Sequence, residues 1–279
     1  ASTEFLYTGP NPVQTGVAPG TIRGQHVSVI RGRVLERDGA PLPGVTVTVH
    51  GRPEFGQTLT RLDGGFDLAV NGGESLTLDY QKTNRLPVQR TLYVGWREFT
   101  NAPDVVMIAL DPLMTTVAAN APEMQVHQGA AQTDDDGERQ ATLLFPAGTG
   151  ATLVMPDGTT QPLTSLAVRA TEYTVGPNGP AAMPGVLPPT SAYTYAVELS
   201  VDEALAAGAS RVEFSQPVPV YVDNFLNFPA GTIVPAGYYD RGEARWIPMP
   251  NGPVAKLVSV TLDAADLLTL VRSGQLTDQ

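Results

Sequence analysis

The chain has no cysteine and only two lysines, Lys82 and Lys256. The first absence removes disulfides, thiolate nucleophiles and the common cysteine-based zinc sites together. It leaves the compartment open, since extracellular proteins also do without disulfides. The second absence goes with a formal net charge of −11. Such a chain repels phosphate backbones, so nucleic acid is not an expected partner, and it offers no basic patch to an anionic membrane. A run of about 18 apolar residues, the length that spans a bilayer, is also missing, so membrane insertion is not expected. Beginning at Ala1, the sequence shows neither the charged start nor the apolar stretch of a signal peptide. The expectation is a fragment of a longer polypeptide.

Histidine is scarce too. His26, His50 and His127 are far apart, and none lies in a pattern such as HExxH. There is no G-x-S-x-G elbow and no phosphate-binding loop. A Ser-His-Asp arrangement assembled by folding stays open. No catalytic, cofactor-binding or metal-ligating residue is assigned, and no cofactor is expected. His50 ends a strand and is expected at the surface.

What the chain does have is glycine (28) and proline (25), with only 16% charged residues and 42% hydrophobic ones, in 279 residues. That mixture fits β-rich domains with many tight turns and enough apolar side chains for a core. Residues 1–25 include GPNPVQTGVAPGTIRG and read as an extended N-terminal arm. A strand is expected over Val27–Leu35, with Arg31 and Arg33 facing away from Ile30 and Val34. In VTVTVH, Val45, Val47 and Val49 share one face and Thr46 and Thr48 the other. TLTRLDGGFDLAV places Asp63-Gly64 between two alternating runs, which predicts a hairpin with Phe66, Leu68 and Val70 on one face. Asp63 and Asp67 supply too few oxygens for calcium, which takes six to eight.

The second half opens near Asp111. Its acidic run Asp134-Asp135-Asp136-Gly137-Glu138 fails the EF-hand pattern, because Gln132 and Leu143 would fall where carboxylates are needed. A hairpin turn with solvated charge is expected, and whether the three aspartates hold a cation stays open. FPAGT occurs at 145–149 and again at 228–232, which reads as a reused turn. LAVRATEYTV, TYAVELSV, RVEFSQPVPVYV and WIPM read as strands, and DEALAAGA as a turn of helix at most. A helix is expected over 263–274, with Asp263 as N-cap, Leu267, Leu268, Leu270 and Val271 as the apolar face, and Gly274 as the stop. The fold class is therefore all-β: tandem antiparallel β-sandwiches with a short C-terminal helix.

Gly32 and Val34, Asp38-Gly39, Pro43-Gly44-Val45, Thr60, Asp63-Gly64 and Phe66 together resemble the carboxypeptidase regulatory-like, or transthyretin-like, β-sandwich. The resemblance covers about residues 26–111 and implies a non-catalytic module. Residues 112–279, with a Phe-Pro-x-Gly-Thr turn and Phe214-Ser215-Gln216-Pro217-Val218, resemble a ZU5-type sandwich. Some relatives of that fold cleave themselves at His-Phe-Ser. Here Glu213 replaces the histidine, so Ser215 reads as an ordinary strand residue. The two modules in this order resemble the N-terminal region of bacterial RHS/YD-repeat, teneurin-like proteins. That resemblance implies a secreted or cell-surface plug or scaffold, with the YD-repeat shell of the same polypeptide as partner, alongside a cell-surface protein or glycan. Two rivals stand beside it: a carbohydrate-binding or adhesin pair using Trp96, Trp246 and Tyr238-Tyr239, and autoproteolysis between Phe214 and Ser215.

Overall fold

The structure, a computed structural model, describes residues 3–188 and 193–256. The helix expected at 263–274, including Asp263, Leu267, Leu268, Leu270, Val271 and Gly274, lies outside the described residues. The chain is nearly all β, and its contacts divide it into two compact units. Among the described residues, the first takes 3–110, 173–188, 193–196 and 238–247, and the second takes 111–172, 197–237 and 248–256. Two later segments are thus built into a unit that the sequence draws as contiguous.

The first unit contains β1 (Gln14–Thr15), β2 (Val27–Leu35), β3 (Thr46–Val49), β4 (Gln57–Leu59), β5 (Gly65–Asn71), β6 (Glu74–Gln81), β7 (Val88–Val94), β8 (Phe99–Asn101) and β9 (Val105–Val106). One sheet has the order β1-β4-β3-β6-β7. The other has β5-β2-β8, with β9 also pairing β2. β8 and β9 run parallel to β2, whereas the remaining pairs of this unit are antiparallel. Alternation fills the space between the sheets. Ile30 and Val34 from β2 and Phe66, Leu68 and Val70 from β5 meet Val47 and Val49 from β3 and Leu76, Leu78 and Tyr80 from β6. Phe66 meets Tyr80 edge to face at 5.7 Å between ring centroids. Gly32 faces this ring directly, since a Cβ there would come within 2.7 Å of Phe66 Cε1.

Two sequence expectations need correction here. Asp63-Gly64 does not close a hairpin. The turn carries the chain from β4 in one sheet to β5 in the other, which is a corner of the sandwich. Its chemistry is nevertheless that of a tight turn: Gly64 has φ 75°, its N–H donates to the Arg61 carbonyl, and Asp63 Oδ1 accepts the Gly65 N–H at 2.9 Å. Alternation identifies two strands but says nothing about which partner each one takes. The second correction concerns the arm. Gln14 is fully buried, donates to the carbonyls of Phe55 and Ala69 and accepts the Ala69 N–H at 2.7 Å. Those three bonds, with β1 paired to β4, fasten residues 14–15 onto the sandwich.

The second unit holds β10 (Thr115–Ala118), β11 (Gln125–Gln128), β12 (Gln132–Asp134), β13 (Gly137–Arg139), β14 (Ala141–Phe145), β15 (Ala151–Val154), β16 (Thr160–Leu163), β17 (Ser165–Glu172), β18 (Val197–Val201), β19 (Arg211–Phe214) and β20 (Val220–Val222). They form sheets β10-β17-β18, β11-β14-β20, β16-β15-β19 and the hairpin β12-β13. Helix α1 (Gly179–Ala182) belongs to the first unit and α2 (Asp202–Ala207) to the second. β21 (Ile233–Asp240) and β22 (Arg245–Pro253) pair with each other. FPAGT makes the same turn twice. The Thr149 and Thr232 N–H groups donate to the Pro146 and Pro229 carbonyls, and Gly148 and Gly231 take φ 74° and 84°.

Candidate functional site

The most elaborate polar site lies within the first unit, where β3, β6 and β7 hold the segments 173–196 and 238–247. It is built by strand parity. On β6, Leu76, Leu78 and Tyr80 enter the core, so Asp79 faces out. The register sets Asp79 opposite both Thr48 and Gln89. His50, one step past Val49, reaches the same side: its Nδ1 lies 3.0 Å from Asp79 Oδ2 and its Nε2 3.1 Å from the Gly242 carbonyl. Gln89 Nε2 donates to Asp79 Oδ1 at 2.6 Å and to the Arg241 carbonyl at 3.1 Å. His50 is accordingly half-buried and engaged, which corrects its assignment as a surface residue.

Next to it, Arg90 captures a second stretch of backbone. Nη1 donates to the Met183 carbonyl at 2.9 Å and Nη2 to that of Ala181 at 2.7 Å. Burial pulls the Arg90 pKa down from its usual value. The Gln89 N–H donates to the Pro184 carbonyl. Beneath these bonds Leu86, Val106 and Ile108 join Tyr173, Ala182 and Met183 in a second apolar cluster, against which Trp246 packs. Trp246 meets Tyr239 edge-on at 5.3 Å and 63°. Gly185 admits the Tyr239 ring, because a Cβ there would sit 2.2 Å from Cε2. The site's side chains thus bind the protein's own main chain.

The aromatic candidates do not form a coplanar platform. Tyr239 and Trp246 are crossed, and Trp96, 66% exposed, stacks on His26 at 5.6 Å. In the second unit, Ser215 Oγ accepts the Gly150 N–H at 2.8 Å, and Glu213 pairs with Arg211. Phe214 packs edge to face on Phe145.

The acidic run does form a turn, β12 to β13. Asp134 turns back to Arg139, whose side chain is 1% exposed and also donates through Nε to Glu172 Oε1 at 2.8 Å. The Arg139 guanidinium lies 4.7 Å over the Phe225 ring, and the two carboxylates raise its pKa, the Asp134 hydrogen bond most. Among the described residues, no group of three or more His, Asp or Glu side chains is placed to hold a metal. The sequence marks the acidic run but not its arginine: Arg139 sits in GERQ with no local sign that Glu172 will meet it.

Comparison with known proteins bears on the first unit. Residues 22–107 match the teneurin TTR-like domain. Teneurin-3 of Danio rerio is 40% identical over 100 residues, covering 36% of this chain and 4% of that protein. Teneurin-3 of Mus musculus is 46% identical over 80 residues, covering 29% of this chain and 3% of that protein. The match therefore spans a small fraction of these relatives' length. Among solved structures, 3-chlorocatechol 1,2-dioxygenase of Rhodococcus opacus 1CP aligns with TM-score 0.27 and 12% identity over 34% of this chain and 64% of that one. At that score the likeness carries no argument. Residues 22–107 are thus transthyretin-like and similar to the teneurin domain of that kind.

Proposed function

We propose that this chain is a non-catalytic structural and interaction region of a secreted or cell-surface bacterial RHS/YD-repeat protein. Its first unit serves as a rigid transthyretin-like platform, and its second as a ZU5-like plug that scaffolds the repeat shell of the same polypeptide. One observation carries this reading: Arg90, Gln89 and His50, three polar residues of the platform, hold main-chain carbonyls of residues 181–184 and 241–242. Side chains committed to binding backbone act as struts of a scaffold. The test compares hydrogen exchange of residues 1–279 alone with the same residues in the full-length polypeptide. Added protection over strands of either unit, together with YD repeats in the reading frame past Gln279, is expected. Identical exchange, or a frame without repeats, overturns the proposal. A glycan-binding reading keeps one favourable observation, the exposed Trp96 ring, and glycan-array binding abolished by Trp96→Ala is its test.

A further inference from the structure

His50 stands between two groups that only accept hydrogen bonds. Asp79 Oδ1 and Oδ2 lie 3.2 and 3.0 Å from Nδ1, and the Gly242 carbonyl oxygen lies 3.1 Å from Nε2. A neutral imidazole has one N–H and satisfies one of these acceptors, whereas the imidazolium has two and satisfies both. Gln89 Nε2, 3.2 Å from Nδ1, acts here as a donor to Asp79 and to the Arg241 carbonyl, so it adds no competing acceptor. The remaining charged groups nearby have other commitments. Arg241 Nη2 donates to the Tyr173 hydroxyl, Asp240 accepts the Gly242 and Glu243 N–H groups, and Arg52 pairs with Glu54 and Glu74.

We propose that His50 is a proton-operated latch: its imidazolium, braced by Asp79 on β6, clips the 240–242 turn between β21 and β22 to the transthyretin-like sheet, and loss of one proton releases that turn. Burial by itself opposes the charged ring, but the Gly242 carbonyl and the Asp79 carboxylate outweigh it and raise the His50 pKa above its usual value. A histidine raised on folding adds stability that is complete below its unfolded pKa and is lost as pH climbs through the folded pKa. The latch therefore closes below the folded pKa, which lies above the ordinary histidine value, and opens above it. What it releases is the turn that joins Tyr239 to Trp246, whose ring packs on the second apolar cluster.

The test uses the whole chain with Trp96→Phe, which leaves Trp246 as its one tryptophan. Between about pH 5.5 and about pH 8.5, which brackets histidine titration, amides 240–243 should lose about threefold to tenfold protection after correction for intrinsic exchange, the worth of one hydrogen bond. Trp246 emission should shift to the red over the same range. In His50→Gln both responses should be flat. In Asp79→Asn the midpoint of both responses should fall. Equal protection at both pH values, or an unchanged pH response in His50→Gln, overturns the latch.

Discussion

In the first unit, Phe66, Leu68, Leu78 and Tyr80 fill one apolar core between two sheets. In the second, the bulkiest fully enclosed side chain is an arginine, Arg139, held by Asp134 and Glu172. Their histidines differ in the same sense. His50 in the first unit meets an acceptor at each nitrogen, while His127 in the second is wholly buried with Nδ1 on Thr115 Oγ1 and no partner at Nε2. Apolar packing is stable by area alone and indifferent to pH. A buried ion cluster is stable only while every member keeps its partner and its charge. Loss of the Phe66 ring should therefore tell on the first unit, and loss of the Arg139 charge on the second.

Four experiments probe that contrast. Arg139→Met strands two carboxylates and should destabilise the second unit by about 3–5 kcal/mol. Adding Asp134→Asn and Glu172→Gln should recover much of that loss, because the charges left without the guanidinium are gone. Thermal melts followed by hydrogen exchange would assign the loss to the unit. Phe66→Ala removes a buried ring and should cost the first unit about 3 kcal/mol while leaving exchange in the second unchanged. Gly64→Val forces a β-branched residue to φ 75° with its Cβ near 2.4 Å from the Val34 carbonyl oxygen, and should cost about 2 kcal/mol or more in the same unit. Ser215→Ala removes one acceptor for the Gly150 N–H and should cost only about 1 kcal/mol. A denaturing gel should show a single intact band for both parent and variant, whereas two fragments in the parent alone would establish cleavage at Phe214-Ser215.

Acidification gives a pH arm to the comparison. Burial lowers the His127 pKa, and the Asp111 carboxylate only partly offsets it. Below its unfolded pKa the unfolded chain binds a proton that the folded chain refuses, so the second unit loses stability as pH falls. His50 has the opposite sign. Melts at mildly acidic and mildly basic pH should move the two units in opposite directions.

The sequence makes the strands of the first unit plain. Val27–Leu35 and the Val45, Val47, Val49 alternation are local patterns, and local patterns survive without knowledge of partners. Asp63-Gly64 shows the limit: the turn is legible from its residues, but the switch of sheet depends on where β2 and β3 lie. Gln14 shows another, since an amide among glycines and prolines gives no sign that three backbone groups will close on it. The site was less legible still. His50, Asp79, Gln89 and Gly242 are spread over almost two hundred positions, and only the strand register and the folding-back of residues 238–247 bring them together. Arg139 and Glu172 meet through long-range pairing in the same way.

Residues 173–188, 193–196 and 238–247 are integral parts of the transthyretin-like unit. Hydrogen exchange of the intact chain across a denaturant series tests this most directly. Amides of Tyr173, Ala182, Met183 and the 240–242 turn should open with the same free energy and denaturant dependence as β6 and β7. Opening of those amides at low denaturant, with the slopes of surface loops, while β6 and β7 stay protected, would contradict it.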